Sequence, residues 1–168
     1  MEPGSFTGKC GILIKHLTNI DMKYSNEVII DQPLNKVIEL FDNPENLSKW
    51  QPGFISMEHL SGSPGQPGAK SRLIYRMGKG RRQIEMTETI TRRDLSHEFH
   101  GIYETKNVSN IQKNFFTEVT PGKTKWVSES EFKLSGMMKF FGWLMPGAFK
   151  KQSQKYLDMF KEFAEKEV

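Results

Sequence analysis

The stretch from Met137 to Val168 constrains the fold more than any other part of the chain. It follows about seven short strand-like segments and is the one long helix pattern in the sequence. It opens with the Met- and aromatic-rich run MMKFFGWLMPGAF. It continues with Phe149, Tyr156, Phe160 and Phe163 on one face, while Lys150, Lys151, Lys155, Lys161 and Lys166 lie mostly elsewhere. An antiparallel sheet is commonly covered on one face. About 20 residues from Gly147 onward, at ~1.5 Å each, span ~30 Å, enough to cross such a sheet. The arrangement encloses either a packed core or a ligand.

The preceding segments support the sheet. Lys23–Ile30 reads as a strand by alternation and β-branching. Asp31 is a candidate cap for a helix carrying Leu34, Val37, Ile38 and Phe41 on one face, and Asn43-Pro44 starts a second, short helix with Leu47 and Trp50. Strands follow over 54–60, 71–77, 81–92, 97–105, 108–119 and 124–134, separated by Gly- and Pro-rich turns. Short connections between consecutive strands imply an antiparallel meander. Met1–Asp21 differs in character, with MEPGSFTGKCG at its start, and is expected to be a flexible extension. The domain proper then covers residues 22–168.

Composition removes several classes. A chain of 168 residues suits one domain with a sizeable core. The lone cysteine, Cys10, cannot form an internal disulfide. No apolar run reaches the ~20 residues of a spanning helix, and the cytoplasm is the expected location. The net charge of +4 arises from interspersed Lys and Glu, which reads as a solvated surface. Glu85, Glu88, Glu98 and Glu104 lie among Arg72, Arg76, Arg81, Arg82, Arg92 and Arg93, so cross-strand ion pairing accounts for the basic residues better than nucleic-acid binding. Gly78-Lys79-Gly80 joins two strands and opens no helix, so it reads as a hairpin turn and not a phosphate loop. His97 and His100 alternate to opposite faces of a strand and make poor joint ligands. No metal site and no cofactor are expected.

The layout resembles the START-like, or Bet v 1-like, helix-grip superfamily, and within it bacterial polyketide cyclase/dehydrase-type proteins of the SRPBCC group. The resemblance covers about residues 22–167. It is carried by EVIIDQPLNKVIELFDNPENLSKW, by the Pro-Gly loop leading into GAKSRLIYRM, by RRQIEMTETITRRD, and by the helix ending in QKYLDMFKEFAEKE. It implies an α+β helix-grip fold: a curved antiparallel sheet of about seven strands, two short helices after the first, and a long C-terminal helix across it. It also implies a cavity between sheet and helix for a small hydrophobic molecule or lipid. The family's activities are diverse, and fold does not fix function.

Within that frame, binding of a small apolar or amphipathic molecule is the leading reading. The candidate lining residues are Tyr75, Met86, Glu88, Tyr103, Trp126, Phe149, Tyr156 and Phe160. Apolar walls with a few polar groups are the usual composition of such a site. Glu88 interrupts an apolar alternation of Ile84, Met86 and Ile90. It is either a rim residue or an ion-pair partner, the preferred reading, or a buried carboxyl with a raised pKa able to act as a general base. The second case would suit a cyclase/dehydratase-type enzyme. Asn110, Gln112, Asn114 and Phe116 share one strand face and Ile111 and Phe115 the other, and the sequence leaves open which points inward. Gln152 and Ser153 interrupt the helix stripe. The run MMKFFGWLM is core, an adaptable gate, or a shallow membrane contact through Phe140, Phe141 and Trp143 near Lys139.

Overall fold

A computed structural model describes residues 20–167 apart from Lys79, with the backbone alone for Ile20, Phe141, Trp143 and Pro146. Cys10 and nearly all of the expected extension lie outside the described residues. The exceptions are Ile20 and Asp21, which already belong to the first strand. The elements are β1 (Ile20–Ile30), α1 (Leu34–Asp42), a 3-10 turn (Pro44–Asn46), α2 (Leu47–Trp50), β2 (Phe54–Ser61), β3 (Lys70–Arg76), β4 (Gln83–Asp94), β5 (Glu98–Glu104), β6 (Val108–Thr120), β7 (Lys123–Leu134), α3 (Met138–Leu144) and α4 (Pro146–Ala164). All seven strands form one antiparallel sheet in the order β1-β7-β6-β5-β4-β3-β2. With two short helices after β1 and α4 packed across the sheet, this is the helix-grip fold.

Local chemistry explains the joints. Asn43 caps the 3-10 turn, its Oδ1 accepting from the Glu45 N–H at 3.0 Å, with Pro44 at the first position. Pro146 likewise opens α4 and separates it from α3. Asp31 does not cap α1: Pro33 holds that position without a side-chain bond, and Asp31 instead accepts from Lys123 Nζ at 2.7 Å. The neighbouring Gln32 explains why the chain is fixed there. Its side chain donates to Ala164 O at 3.1 Å and its carbonyl accepts from Thr124 Oγ1 at 2.9 Å, joining the β1–α1 corner to α4 and β7. Gly53 has φ of +84°, and a Cβ there would sit 2.5 Å from Arg76 O, so the entry into β2 requires glycine.

The register defines the inner face. Val28, Trp126 and Phe116 form one cross-strand row, and Asn26, Ser128, Asn114 and Phe99 the next. Tyr24, Ser130, Gln112, Gly101 and Ile90 follow, then Met22, Phe132, Asn110, Tyr103, Glu88 and Ser71. The β6 face left open by the sequence is thereby assigned: Asn110, Gln112, Asn114 and Phe116 point inward. On the outer face, Arg72 pairs with Glu58 and Glu85, and Arg92 with Glu98, as expected of cross-strand ion pairs.

The space between sheet and α4 is divided. At the α1–α2 end, Phe41 meets Phe116, Trp126 and Phe160 edge-on with ring centroids 5.0–5.8 Å apart, and Trp50 meets Phe160 at 5.0 Å. Phe160, Phe116, Trp126 and Leu157 are sealed there. Toward α3 the inward-facing Tyr75, Met86, Tyr103, Gln112, Phe149 and Tyr156 are only half-buried. Replacing Phe160 by Ala is therefore expected to lower the unfolding free energy by about 3–5 kcal/mol. Phe149→Ala is expected to cost about 1 kcal/mol, because that ring is incompletely withdrawn from water. Urea unfolding of both variants checks this, and equal losses would contradict a divided interior.

Candidate functional site

Two small residues lie on the partly exposed half of the inner face. Ser130 and Gly101 lie in the same inner row, on either side of Gln112, and add almost no side-chain volume. Gly101 has a further purpose. A Cβ there would lie 3.3–3.4 Å from the Tyr103 ring and hydroxyl, so the ring lies back over Gly101. In that pose Tyr103 donates its O–H to Glu88 Oε1 at 2.8 Å. Glu88 and Tyr103 are directly opposed on β4 and β5, so the pair follows from the register. A second polar contact lies toward the sheet edge, where Tyr75 donates to Gln51 Oε1.

Electrostatics follow from burial. Glu88 is 8% exposed and has no ion-pair partner among the described residues. Desolvation pushes its carboxyl above the ordinary value, and the Tyr103 hydrogen bond opposes that in part. Burial pushes the Tyr103 phenol well up, and the adjacent carboxylate adds to the effect. Tyr75 is raised mainly by burial, then by the charges of Tyr156 and Glu88. The preferred sequence reading of Glu88, a rim residue or an ion-pair partner, is thus overturned. The inward alternation of β4 carries it under the cover of the fold, where no base meets it.

The eight candidate residues separate into two groups. Tyr75, Met86, Glu88, Tyr103, Phe149 and Tyr156 belong to the polar or accessible half. Trp126 and Phe160, at 2% and 0% exposure, are packed in the sealed end, because Phe41 and Trp50 fold over them from α1 and α2. The Trp126 indole N–H donates to Asn114 Oδ1 at 3.0 Å, and Asn114 Nδ2 donates to Phe99 O at 3.1 Å, so this polar belt is satisfied. Phe132 was missed. It sits between Tyr24 and Phe149, with ring centroids 5.9 and 5.0 Å away, and anchors the first turns of α4. Gln51 was missed as well, and nothing in its local sequence signals the bond to Tyr75. The helix interruption faces β1: Ser153 shares a 2.9 Å hydrogen bond with the Tyr24 hydroxyl, while Gln152 is exposed. His97 lies in an exposed turn, and His100 lies on the outer face 2.9 Å from Glu98.

The raised Glu88 pKa has a consequence for stability. Glu88 binds its proton more tightly folded than unfolded, so its contribution is fully present below about pH 4.5 and is lost as pH rises through the raised folded value. Glu88→Gln keeps a neutral group throughout. The variant is expected to match the parent protein at low pH and to gain relative stability steadily as pH rises above that range. Denaturant unfolding across pH 4–8 checks the sign, and a Glu88→Gln variant that loses ground with rising pH would contradict it.

Comparison with known proteins agrees with this architecture. The profile of the family described as polyketide cyclase / dehydrase and lipid transport matches residues 21–165. No functionally curated sequence matches the chain. Among solved structures, an uncharacterised protein from Rhizobium leguminosarum superposes with a TM-score of 0.71 at 17% identity, covering 89% of this chain and 98% of its own. A conserved protein from Geobacillus kaustophilus gives 0.70 at 13%, covering 85% and 95%. Norcoclaurine synthase from Thalictrum flavum gives 0.66 at 12%, covering 100% and 99%. At these identities the likeness is one of fold. The family profile, which spans nearly the whole of the described chain, goes further: this protein is a member of the polyketide cyclase/dehydrase and lipid-transport family.

Proposed function

We propose that the half-open space between β3–β7 and the first turns of α4 binds a small hydrophobic or amphipathic molecule. One observation carries the reading. Inward-facing Tyr75, Met86, Tyr103, Gln112, Phe149 and Tyr156 keep some accessible surface, while Trp126, Phe116, Phe160 and Leu157 at the other end keep almost none. A domain that needed only a core would close both ends, since interiors pack to crystal-like density. Apolar Met86 and Phe149 supply walls, and the Glu88–Tyr103 pair supplies a polar end. The Thalictrum enzyme, alike in fold, was solved with dopamine and hydroxybenzaldehyde, two small aromatic molecules. A neutral fluorophore such as N-phenyl-1-naphthylamine is expected to bind saturably. Met86→Trp, which fills the space, is expected to weaken that binding by about tenfold or more without lowering the melting temperature. Failure to saturate, or a Met86→Trp variant that binds as well as the parent, would overturn the assignment.

A second reading concerns where such a ligand is exchanged, and it rests on one end of the molecule. β7 ends and β1 begins beside α3, and the β3–β4 hairpin lies at the same end of the sheet. Met137, Phe140, Leu144 and Met145 are 52–80% exposed there. Arg76, Arg81 and Arg82 of the hairpin are exposed, and Lys150 and Lys151 follow on α4. The exposed acids at this end are Asp21, Glu104 and Glu85, the last paired with Arg72. Apolar side chains ringed by cations suit an anionic bilayer surface. The Phe141 and Trp143 side chains named in the sequence reading lie outside the described residues. Sedimentation with vesicles containing phosphatidylglycerol is expected to capture the protein. It should do so less at high salt, and less again for Leu144→Ser/Met145→Ser. Equal capture by pure phosphatidylcholine vesicles would contradict an electrostatic surface contact.

A further inference from the structure

On the polar side of the accessible space most side-chain donors are already committed, and two acceptors are not. Tyr103 spends its hydroxyl proton on Glu88 Oε1, and Tyr75 spends its own on Gln51. The Trp126 N–H is committed to Asn114, and a Gln112 Nε2 proton goes to Ser128 Oγ at 3.1 Å. The Tyr156 hydroxyl has no partner among the described residues, and besides it two acceptors are left over. Glu88 Oε2 has no protein partner among the described residues and is not sealed from the space. Asn110, next to Tyr103 in the same cross-strand row, has a buried Oδ1 with no hydrogen-bond donor. Buried acceptors left without donors are costly, and each such atom in a native fold calls for an occupant.

Charge points the same way. The row through Glu88 contains Ser71, Tyr103, Asn110, Phe132 and Met22, and none is basic. Arg72 is on the outer face with Glu58 and Glu85. Arg93, the base nearest the inner side, is held by Asp42 at 2.7 Å. From β3 and α4 the titratable groups near this space are the phenols of Tyr75 and Tyr156. A buried carboxylate without a cation is relieved either by protonation or by a cation brought in from outside.

We infer that the molecule bound in this space carries a protonated amine, received by the free oxygen of Glu88 beside Tyr103, and does not carry a carboxylate. An ammonium brings three donors and one positive charge, which match two unfilled acceptors, one of them on an acid. The phenol rings add faces that favour a cation. A fatty-acid carboxylate would stand against Glu88, whose own cross-strand row holds no base. This assignment rests on the ligand-binding reading above and sharpens it.

The test is displacement of N-phenyl-1-naphthylamine at neutral pH by dodecylamine, dodecanol and dodecanoate, all below their micelle concentrations. Dodecylamine is expected to bind at least about tenfold more tightly than dodecanoate, with dodecanol between them. In Glu88→Gln the amine preference is expected to collapse to within about threefold, while dodecanol affinity is retained and reports an intact site. The protein's net charge of +4 biases non-specific binding toward dodecanoate, against the expected result. Dodecanoate binding as well as dodecylamine, or an amine preference that survives Glu88→Gln, overturns the amine assignment and leaves the ligand-binding reading standing. If none of the three displaces the probe, the ligand-binding reading itself falls, and the amine assignment falls with it.

Discussion

Phe160 of α4 sits among Phe41, Trp50 and Trp126, and this aromatic contact sets where everything else lies. It pins the C-terminal half of α4 to α1, α2 and the sheet. The Gln32 bonds to Ala164 and Thr124 reinforce the same corner. Buried aromatic pairs contribute about 0.5–1.5 kcal/mol each beyond their area, so this cluster of four rings is stiff as well as stable. The rest of α4 leaves this anchor as a rigid rod. Its first turns are held over β1 by Asn26, which donates to Gln154 Oε1 at 2.8 Å, and by the Tyr24–Ser153 bond. They leave the middle strands less completely covered.

That geometry explains the sequence of the inner face. Trp126 and Phe116 lie under the anchor, where volume is wanted. Ser128, Ser130 and Gly101 lie beyond it, where volume is withheld. The polar belt of Asn114, Gln112 and Ser128 marks the boundary and is internally bonded, so it can be dehydrated at modest cost. Past the boundary the satisfaction fails at Glu88 Oε2 and Asn110 Oδ1.

The element order was readable because its signals are local. Alternation gave the strands, and Asn43-Pro44 and Pro146 marked helix starts through fixed backbone chemistry. The Asp31 cap failed because a distant residue, Lys123, competes for the same carboxylate. The facing of β6 could not be read, since its inner face carries Asn110, Gln112 and Asn114 and its outer face carries Ile111 and Phe115, which reverses the usual pattern. Pairing with Trp126 and Phe132 of β7 decides it. The Glu88–Tyr103 contact needed the β4–β5 register, which contains an irregularity between Ile90 and Arg92 that sequence alone does not locate. Likewise the sealed position of Trp126 and Phe160 depends on α1 and α2 folding over them.

The claim that one half of the interior is open to a ligand is most directly tested by the methionine methyl NMR spectrum. Met86 faces the accessible space, and Met137, at 80% exposure, marks the outer surface near α3. Titration with an aromatic ligand is expected to shift the Met86 methyl resonance saturably through the ring current, while Met137 stays in place. A Met86 resonance that never moves, with shifts confined to Met137 and its exposed neighbours, would show that the protein binds on its surface and that the interior is closed.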